Sequence, residues 1–344
     1  MTGTTIEWFG ATTYRLRTHG VTIFLDTWLD RPSVFPKYLD VTDVTEADYI
    51  FISHAHFDHL PGADRIAIQT GAIVVANCEA INLLRLAGVP DEQLVPVAGG
   101  ERIPLFTRAV RDQAHRDEVP TATALPGQSK SPHHTLAALS VHIWPSLHAF
   151  LPVPHPDVID TSEVYTGETT PYACTLDITH GMRYGLFQLD KLVPPEHMND
   201  GMRSLVAYLN DRKKNVMSHC DGGQLMFNFI IGGNGLLWSA HLGAYEGIVS
   251  KIEPKPKIAI LGIAGRANLD GRPFDGSAAQ FALKQIHWLD QPETVIWCLH
   301  DERYVGFAVL KSMRKTNRST VALPLTESTS QELQRVLRLG APPK

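Results

Sequence analysis

Cysteine is scarce and scattered in this chain of 344 residues. The four cysteines, Cys78, Cys174, Cys220 and Cys298, form no C-x-x-C pair, so the sequence offers neither a disulfide framework nor a cysteine-based structural zinc site. The amino-terminal segment also lacks the basic stretch and following apolar stretch of a secretory signal. We therefore expect a reduced, cytoplasmic protein.

Long apolar runs are missing as well. No stretch approaches the ~20 apolar residues that a membrane-spanning helix needs. An apolar segment such as residues 258–264 has the length of a buried strand instead. We therefore expect no stable membrane insertion.

The chain has no excess of positive charge. Charged residues make up 19% of the sequence, and the formal net charge is -5 at pH 7. A phosphate-backbone partner calls for a basic surface, so we expect a small-molecule substrate and no nucleic-acid partner. The 44% hydrophobic content is that of a globular protein, and we predict a single domain over residues 1–344.

What the sequence does have is a concentration of histidine at one point. His54, His56, Asp58 and His59 follow directly after the apolar run of residues 49–52. In an extended chain His54 and His56 lie on one side, because side chains alternate along a strand, so both can bind one metal ion. A turn then brings Asp58 and His59 together, where they can hold a neighbouring ion or orient its water.

Two structural explanations compete with a catalytic metal site. A structural zinc site usually has four protein ligands with cysteine common among them, and no cysteine lies near residues 54–59. Chance enrichment on a surface loop is the second alternative, since the chain has 16 histidines and most must be ordinary. We favour the catalytic site.

The pattern His54-x-His56-x-Asp58-His59 after a hydrophobic strand resembles the signature of the metallo-β-lactamase superfamily. Residues 6–16 and 21–29 are similar to the first hairpin of the branch that contains ascorbate-phosphate lactonases and N-acyl-phosphatidylethanolamine phospholipase D. The resemblance implies an α/β fold, a four-layer αβ/βα sandwich with metals at the rim between two sheets. It also implies that Asp26 supports the metal-binding loop by hydrogen bonds without touching metal.

The resemblance further implies distant metal ligands. A catalytic zinc ion usually has three protein ligands and a water, and residues 141–148 match the family setting of the third ligand, His148, with His142 along the strand. For a second ion, His300 fits the family's last ligand, a histidine just beyond a late buried strand. The implied cofactor is Zn²⁺, one or two ions per chain, with Mn²⁺ or Fe²⁺ as alternatives.

One position departs from the family pattern. The family usually places a bridging aspartate after the second arm of a late hairpin, where this chain has His241. A neutral imidazole offers one lone pair and no charge, whereas a carboxylate can bridge two cations. We therefore expect a second ion that is weaker, absent or of a different kind, with His241 either a ligand or merely buried. Asp221 and Asp270 are alternative sources of a carboxylate.

Other polar residues are candidates for binding the substrate. His219 faces either the pocket or a surface turn, and Asp301 follows the candidate ligand His300. The pattern leaves exposed and substrate-facing roles equally open for the remaining histidines of the predicted loop and insertion: His115, His133, His134, His155, His180 and His197.

Strand and helix signals alternate, which predicts a layered α/β fold. Turn residues at 232–235 include Asn-Gly, a strong hairpin signal, and we predict two closing helices after His300. Predicted strands lie near residues 5–9, 13–17, 21–25, 48–53, 72–76, 136–144, 224–231, 236–240, 258–264 and 294–299, and predicted helices near 62–69, 79–87, 200–212 and 277–288.

Two segments interrupt this alternation. Residues 111–135 mix charge, proline, serine and glycine without periodicity, which predicts a mobile loop. Residues of about 151–220 exceed a minimal sandwich, and we predict an insertion that lies over the active site, where substrate selectivity usually resides. An insertion that forms a homo-oligomer interface explains the same residues.

We predict a hydrolase in which a metal ion activates water and Asp58 orients that water or moves its proton. The resemblance to the lactonase branch favours ring opening of a lactone, lactam or related cyclic carbonyl compound. Three alternatives stay open. They are a phosphodiesterase like the phospholipase D relatives, an oxygen-using mononuclear iron enzyme with iron on His54, His56 and His148, and a non-catalytic binding protein.

Overall fold

The computed structural model describes residues 3–123, 126–127, 129–150 and 175–300. The predicted closing helices, Asp301 and the first part of the predicted insertion, residues 151–174, lie outside these residues.

Strands and helices alternate along the described residues. The strands are β1 (Thr5–Trp8), β2 (Tyr14–Thr18), β3 (Val21–Leu25), β4 (Tyr49–Phe51), β5 (Ile73–Ala76), β6 (Leu94–Pro96), β7 (Arg102–Leu105), β8 (Leu139–Pro145), β9 (Leu225–Ile231), β10 (Asn234–Ser239), β11 (Gly243–Ala244), β12 (Pro256–Gly262), β13 (Asn268–Leu269), β14 (Arg272–Pro273) and β15 (Thr294–Cys298). The helices are α1 (Ala63–Thr70), α2 (Cys78–Leu86), α3 (Arg108–His115), α4 (Thr175–His180), α5 (Leu189–Leu192), α6 (Asp200–Asn210), α7 (Glu246–Val249) and α8 (Ala278–Trp288), with a π-helical turn at Gly181–Gly185.

Two six-stranded sheets carry the architecture. The first has the order β1-β2-β3-β4-β5-β6, and the second has the order β15-β12-β10-β9-β8-β7. A small third sheet joins β11, β13 and β14. Every residue of β3 and β4 is buried, which explains why these strands are continuous apolar runs rather than alternating ones.

The strand directions bring the candidate site residues to shared edges. β3 and β4 are parallel, so the loops that begin at Asp26 and Ser53 leave the first sheet at the same edge. β8 and β10 are both antiparallel to β9, and β12 and β15 run parallel to β10. The segments that carry His148, His241 and His300 therefore leave the second sheet at one edge.

The alternation of side chains along each strand builds separate layers. Ile23 packs in the core between the two sheets, whereas its neighbour Phe24 packs on the opposite face with residues of α1 and α2. On the far side, α8 covers the second sheet through Phe281 and Ile286. The order helix, sheet, sheet, helix is the four-layer αβ/βα sandwich that the sequence predicts.

Two local predictions need correction. The irregular loop predicted at residues 111–135 is wrong at its start, because α3 extends to His115 and begins with the Thr107 side chain accepting from the Val110 N–H. The hairpin turn consists of Gly232 and Gly233 rather than Asn-Gly, with φ of 56° and 82°. Two positive φ values suit glycine and match the twist of the flanking strands.

The described part of the predicted insertion contains α4, α5 and α6 and packs beside the histidine-rich loop. Tyr208 of α6 joins a buried apolar cluster with Trp28, Phe57 and Ile178. The predicted helix near 200–212 is thus α6, Asp200–Asn210. The single-domain organisation with a capping insertion, and the alternative of an oligomer interface, stay predictions. Among the described residues, no helix has both the length and the hydropathy of a membrane span.

Candidate metal centre

The loop between β4 and α1, residues 53–60, is almost completely enclosed. His54, His56 and His59 are 0% exposed and Asp58 is 7% exposed. Gly62 directly precedes α1; its φ is 98°, and an added Cβ would lie 2.8 Å from the Thr27 carbonyl oxygen. Glycine at this position therefore lets α1 start close to the first sheet.

A single buried carboxylate organises the start of this loop. Asp26 accepts hydrogen bonds from the Ser53 N–H at 2.9 Å and from the Ser53 hydroxyl at 3.0 and 3.1 Å. It also accepts from the Thr12 hydroxyl at 2.7 Å and lies 2.6 Å from His59 Nδ1. The structure thus places Asp26 behind the histidines, as a hydrogen-bond acceptor.

Three imidazoles converge at the rim between the sheets. His54, His56 and His148 form one group whose candidate ligand atoms lie within 4.8 Å of one another. His56 Nδ1 lies 3.0 Å from His54 Nε2 and 3.1 Å from His148 Nε2. Metal–nitrogen bonds of ~2.0–2.1 Å in a tetrahedral site put neighbouring ligand atoms roughly 3.3 Å apart, so these separations suit one shared ion.

Hydrogen bonds determine which nitrogens keep a lone pair. His148 Nδ1 lies 2.6 Å from the Ala149 carbonyl, which can only accept, so Nδ1 carries the proton and Nε2 is bare. The Ser53 hydroxyl donates to Asp26 and therefore accepts from His54 Nδ1 at 3.0 Å. Nε2 of His54 therefore also has a free lone pair. The lone pairs of His54 Nε2 and His148 Nε2 both face His56 Nδ1, which can donate at most one proton and so can bond only one of them.

His54, His59 and His241 form a second group, whose candidate ligand atoms also lie within 4.8 Å of one another. Within the described part of the chain, His59 Nε2 and both ring nitrogens of His241 are buried without a hydrogen bond. A buried polar atom left unpaired costs about 1–3 kcal/mol, so this donor set fits a cation that displaces the Nε2 proton of His59. His54 belongs to both groups but has one lone pair, so it can serve only one ion at a time.

His241 does not complete the first group. Its ring lies against the ring of His148, with centroids 3.7 Å apart and planes inclined by 31°. His241 instead lies with His54 and His59, and its role as a ligand stays a prediction.

Burial keeps most of these imidazoles neutral. Desolvation, followed by neighbouring imidazoles, lowers the pKa of His54 and of His241 well below the usual value. Desolvation likewise lowers the pKa of His56 and His148. Neutral imidazole is the form that binds metal, so at neutral pH a cation meets no competing proton on these residues.

His59 differs because it lies between two carboxylates. Burial lowers its pKa, but Asp58 and Asp26 outweigh burial and raise it to about 10. His59 Nδ1 donates to Asp26, and Asp58 Oδ2 is 3.5 Å from His59 Nε2. For Asp58, burial raises the pKa, and His59 together with His56 and His148 lowers it below the usual value. Asp58 is thus an ionised proton acceptor at neutral pH.

Other predicted site residues lie outside both histidine groups. His300 Nε2 donates to the Trp297 carbonyl at 3.1 Å, and the His300 ring lies 5.0 Å from that of Trp8. The His219 backbone carbonyl acts on His56, where it opposes the effect of burial on the pKa. The roles predicted for His300 and His219 stay predictions.

Asp221 and Asp270, the alternative sources of a bridging carboxylate, each accept a hydrogen bond from a backbone N–H. Asp221 is buried, and its Oδ1 accepts from the Gly223 N–H at 3.1 Å. Asp270 is exposed, and its Oδ1 accepts from the Glu246 N–H at 3.0 Å. His142 lies on β8 with Nδ1 3.1 Å from the Glu253 carbonyl.

The close approach of β11 to the segment before His148 yields a stability prediction. A Cβ at Gly243 would lie 2.1 Å from the Leu147 carbonyl oxygen, so Gly243→Ala must displace the chain next to His148. We expect a loss of about 1–3 kcal/mol in the free energy of unfolding, measured by urea denaturation. Gly247→Ala is the control, because its Cβ would meet nothing within 4 Å. Equal stability of Gly243→Ala and wild type would contradict this packing.

Two sheets with helices outside and a histidine cluster at the rim define the metallo-β-lactamase class of fold. Residues 5–99 match the family model described as the Beta-lactamase superfamily domain. This match covers 95 of the 344 residues, so it shows a similarity between the first part of the chain and that family.

Curated relatives match over part of their length. A UPF0173 metal-dependent hydrolase of Anaeromyxobacter sp. (strain K) is 34% identical over 91 residues, 26% of this chain and 33% of that protein. A protein of the same name from Rubrobacter xylanophilus is 36% identical over 103 residues, 29% of this chain and 41% of that protein. The chain thus spans less than half the length of these relatives.

A solved structure is similar over most of its length. The structure of Igni18, a novel metallo hydrolase from the archaeon Ignicoccus hospitalis, has a TM-score of 0.48 and 16% identity, and the match covers 98% of this chain and 91% of that chain. The lactonase and phospholipase D branch predicted from the first hairpin stays a prediction.

Proposed function

We propose that this chain is a metal-dependent hydrolase whose catalytic metal ion is held by His54, His56 and His148. The observation that carries the proposal is the convergence of these imidazoles in a buried position, with separations of 3.0 and 3.1 Å between their nitrogens. Three protein ligands leave a fourth position for water or substrate, which is the composition of catalytic rather than structural zinc.

The chain's own residues supply the remaining chemistry. When bound, the metal would make a water more acidic and would polarise the carbonyl group of the substrate. Asp58, ionised and beside the first group, would orient the attacking water and accept its proton. Asp26 and Ser53 would hold the ring of His54 so that Nε2 faces the site.

The donor set favours a transition metal over Mg²⁺ or Ca²⁺. Imidazole nitrogens suit Zn²⁺, Cu²⁺, Fe²⁺ and Ni²⁺, whereas Mg²⁺ and Ca²⁺ prefer oxygen ligands. We propose Zn²⁺, with Mn²⁺ or Fe²⁺ as alternatives. Because the second group lacks a bridging carboxylate and shares His54, we propose that any second ion binds more weakly.

A small cyclic carbonyl compound is the substrate class we propose. The resemblance of residues 6–16 and 21–29 to the lactonase branch supports a lactone or lactam, and the net charge of -5 disfavours a nucleic-acid substrate. Such a substrate needs one attacking water and one polarised carbonyl, which the proposed centre would supply.

Metal content and ring opening test the proposal together. The full chain is purified without added metal, its elements are counted, and hydrolysis of a lactone and lactam panel is followed before and after chelation. We expect about one zinc ion per chain, activity lost with the chelator and activity regained with Zn²⁺. His134→Ala, at an exposed histidine outside the centre, should match wild type. Absence of metal-dependent ring opening across the panel would overturn the substrate proposal, and iron with oxygen consumption would overturn the hydrolase.

A further inference from the structure

Tyr208 of α6 reaches the metal-binding loop from outside both sheets. Its hydroxyl donates to the Phe57 carbonyl at 2.7 Å and accepts from Trp28 Nε1 at 3.0 Å. The hydroxyl is therefore held in one orientation, because its donor and its acceptor are both occupied.

The acceptor lies in the centre of the metal-binding loop. Phe57 stands between His56 and Asp58, and in the described residues no backbone N–H bonds the Phe57 carbonyl. Because the peptide group is planar, the direction of this carbonyl fixes the direction of the Asp58 N–H and restricts where the Asp58 side chain starts. Tyr208 thus acts on the residue that separates a proposed metal ligand, His56, from the proposed proton acceptor, Asp58.

The surroundings make this hydrogen bond hard to replace by water. Tyr208 is buried with Trp28, Phe57 and Met182, and the Trp28 ring meets the rings of Phe57 and Tyr208 edge-on at 6.3 and 6.4 Å. Burial raises the pKa of Tyr208 well above its usual value, so the hydroxyl stays protonated and remains a donor.

The segment after α6 holds the same loop at a second place. The Ser218 N–H donates to the Ala55 carbonyl at 2.8 Å, and the Ala55 N–H donates to the Asp221 carbonyl at 3.0 Å. Residues 208–221 therefore hold the loop at two places, Phe57 and Ala55.

We propose that Tyr208 is a positioning residue that holds the Phe57–Asp58 peptide and thereby sets the geometry of the metal centre. The insertion then contributes to metal binding itself, in addition to any part in covering the site. The proposal rests on the proposed function, because it concerns the same metal ion.

Tyr208→Phe tests this role, with Tyr49→Phe as a matched control. Tyr49 is also buried, and its hydroxyl likewise donates to the Phe106 carbonyl and accepts from the Phe106 N–H, at 3.3 and 2.9 Å. Both substitutions remove one buried hydroxyl with two partners, but only Tyr208 bonds the metal-binding loop. Zn²⁺ affinity is measured by competition with a chromogenic chelator, and the visible spectrum of the Co²⁺-substituted protein reports ligand geometry.

We expect Tyr208→Phe to bind Zn²⁺ about tenfold more weakly than wild type, in the range of losses for residues that orient metal ligands, and to change the Co²⁺ spectrum. Tyr49→Phe should keep the wild-type affinity and spectrum while losing thermal stability in the metal-free state. Unchanged affinity and spectrum in Tyr208→Phe, or equal losses in the two variants, would overturn the positioning role.

Two further measurements keep the outcome clear. If Tyr208→Phe does not fold, Trp28→Phe replaces it, because this change keeps the Tyr208 hydroxyl but removes the N–H that orients it. The same spectral change is then expected, and a wild-type spectrum would count against the proposal. Failure of the wild-type chain itself to bind Zn²⁺ or Co²⁺ would refute the proposed function instead.

Discussion

His54→Ala is expected to abolish metal binding at both histidine groups. His54 is the one residue that the group with His56 and His148 shares with the group of His59 and His241. Its removal leaves two imidazoles in each group, fewer than the three protein ligands of a catalytic zinc site. Element analysis after dialysis should find no retained zinc, and any metal-dependent hydrolysis should fall by at least about three orders of magnitude.

The two groups can be separated by comparing single substitutions. His148→Ala removes a ligand from the first group only, and His241→Ala removes one from the second only. We expect His148→Ala to lose the tightly bound ion and His241→Ala to retain it. His134→Ala, at an exposed histidine, is the common control. Retention of the tight ion in His54→Ala would contradict its binding to the group of His54, His56 and His148. Loss of the tight ion in His241→Ala, with retention in His148→Ala, would contradict it as well.

Local sequence patterns were sufficient to predict the metal-binding loop, residues 53–60. Six residues from His54 to His59 hold three imidazoles and a carboxylate, and a strand periodicity of two brings the first pair together without any distant information. The strands were predictable for a similar reason, since short apolar runs bounded by turn residues form buried strands. Helix α3, which the sequence analysis did not predict, had a local signal too, because Thr107 caps its first turn.

Contacts between residues far apart in the sequence had no local pattern that predicts them. Tyr208 meets Trp28 across 180 positions of sequence, and no spacing rule connects them. The contact between the His241 and His148 rings depends on where two strands end at the sheet edge. The hydrogen bond of His300 to Trp297 depends on the local turn after β15, so the strand-end position alone did not determine the direction of the ring.

The buried carboxylate of Asp26 is expected to be the largest single contributor to the stability of this loop. Asp26 is 0% exposed and accepts from Ser53, Thr12 and His59. Asp26→Ala leaves these donors unpaired and leaves the charge of His59 without its nearest partner, so we expect the free energy of unfolding to fall by about 3–5 kcal/mol. Urea denaturation of the metal-free protein measures this loss, and a loss below about 1 kcal/mol would contradict it.

Asp26→Asn separates charge from shape, because asparagine keeps the size of the side chain. Burial lowers the pKa of His59, whereas Asp58 and Asp26 raise it, to about 10 against the usual 6.5. A raised pKa stabilises the folded state fully below pH 6.5, and this contribution is lost as pH rises toward 10. The stability of the metal-free wild type should therefore decline over that range. In Asp26→Asn the decline of the free energy of unfolding with pH should be shallower, since only Asp58 then holds the proton on His59. Parallel pH profiles of the two proteins would show that Asp26 does not act on His59 through its charge.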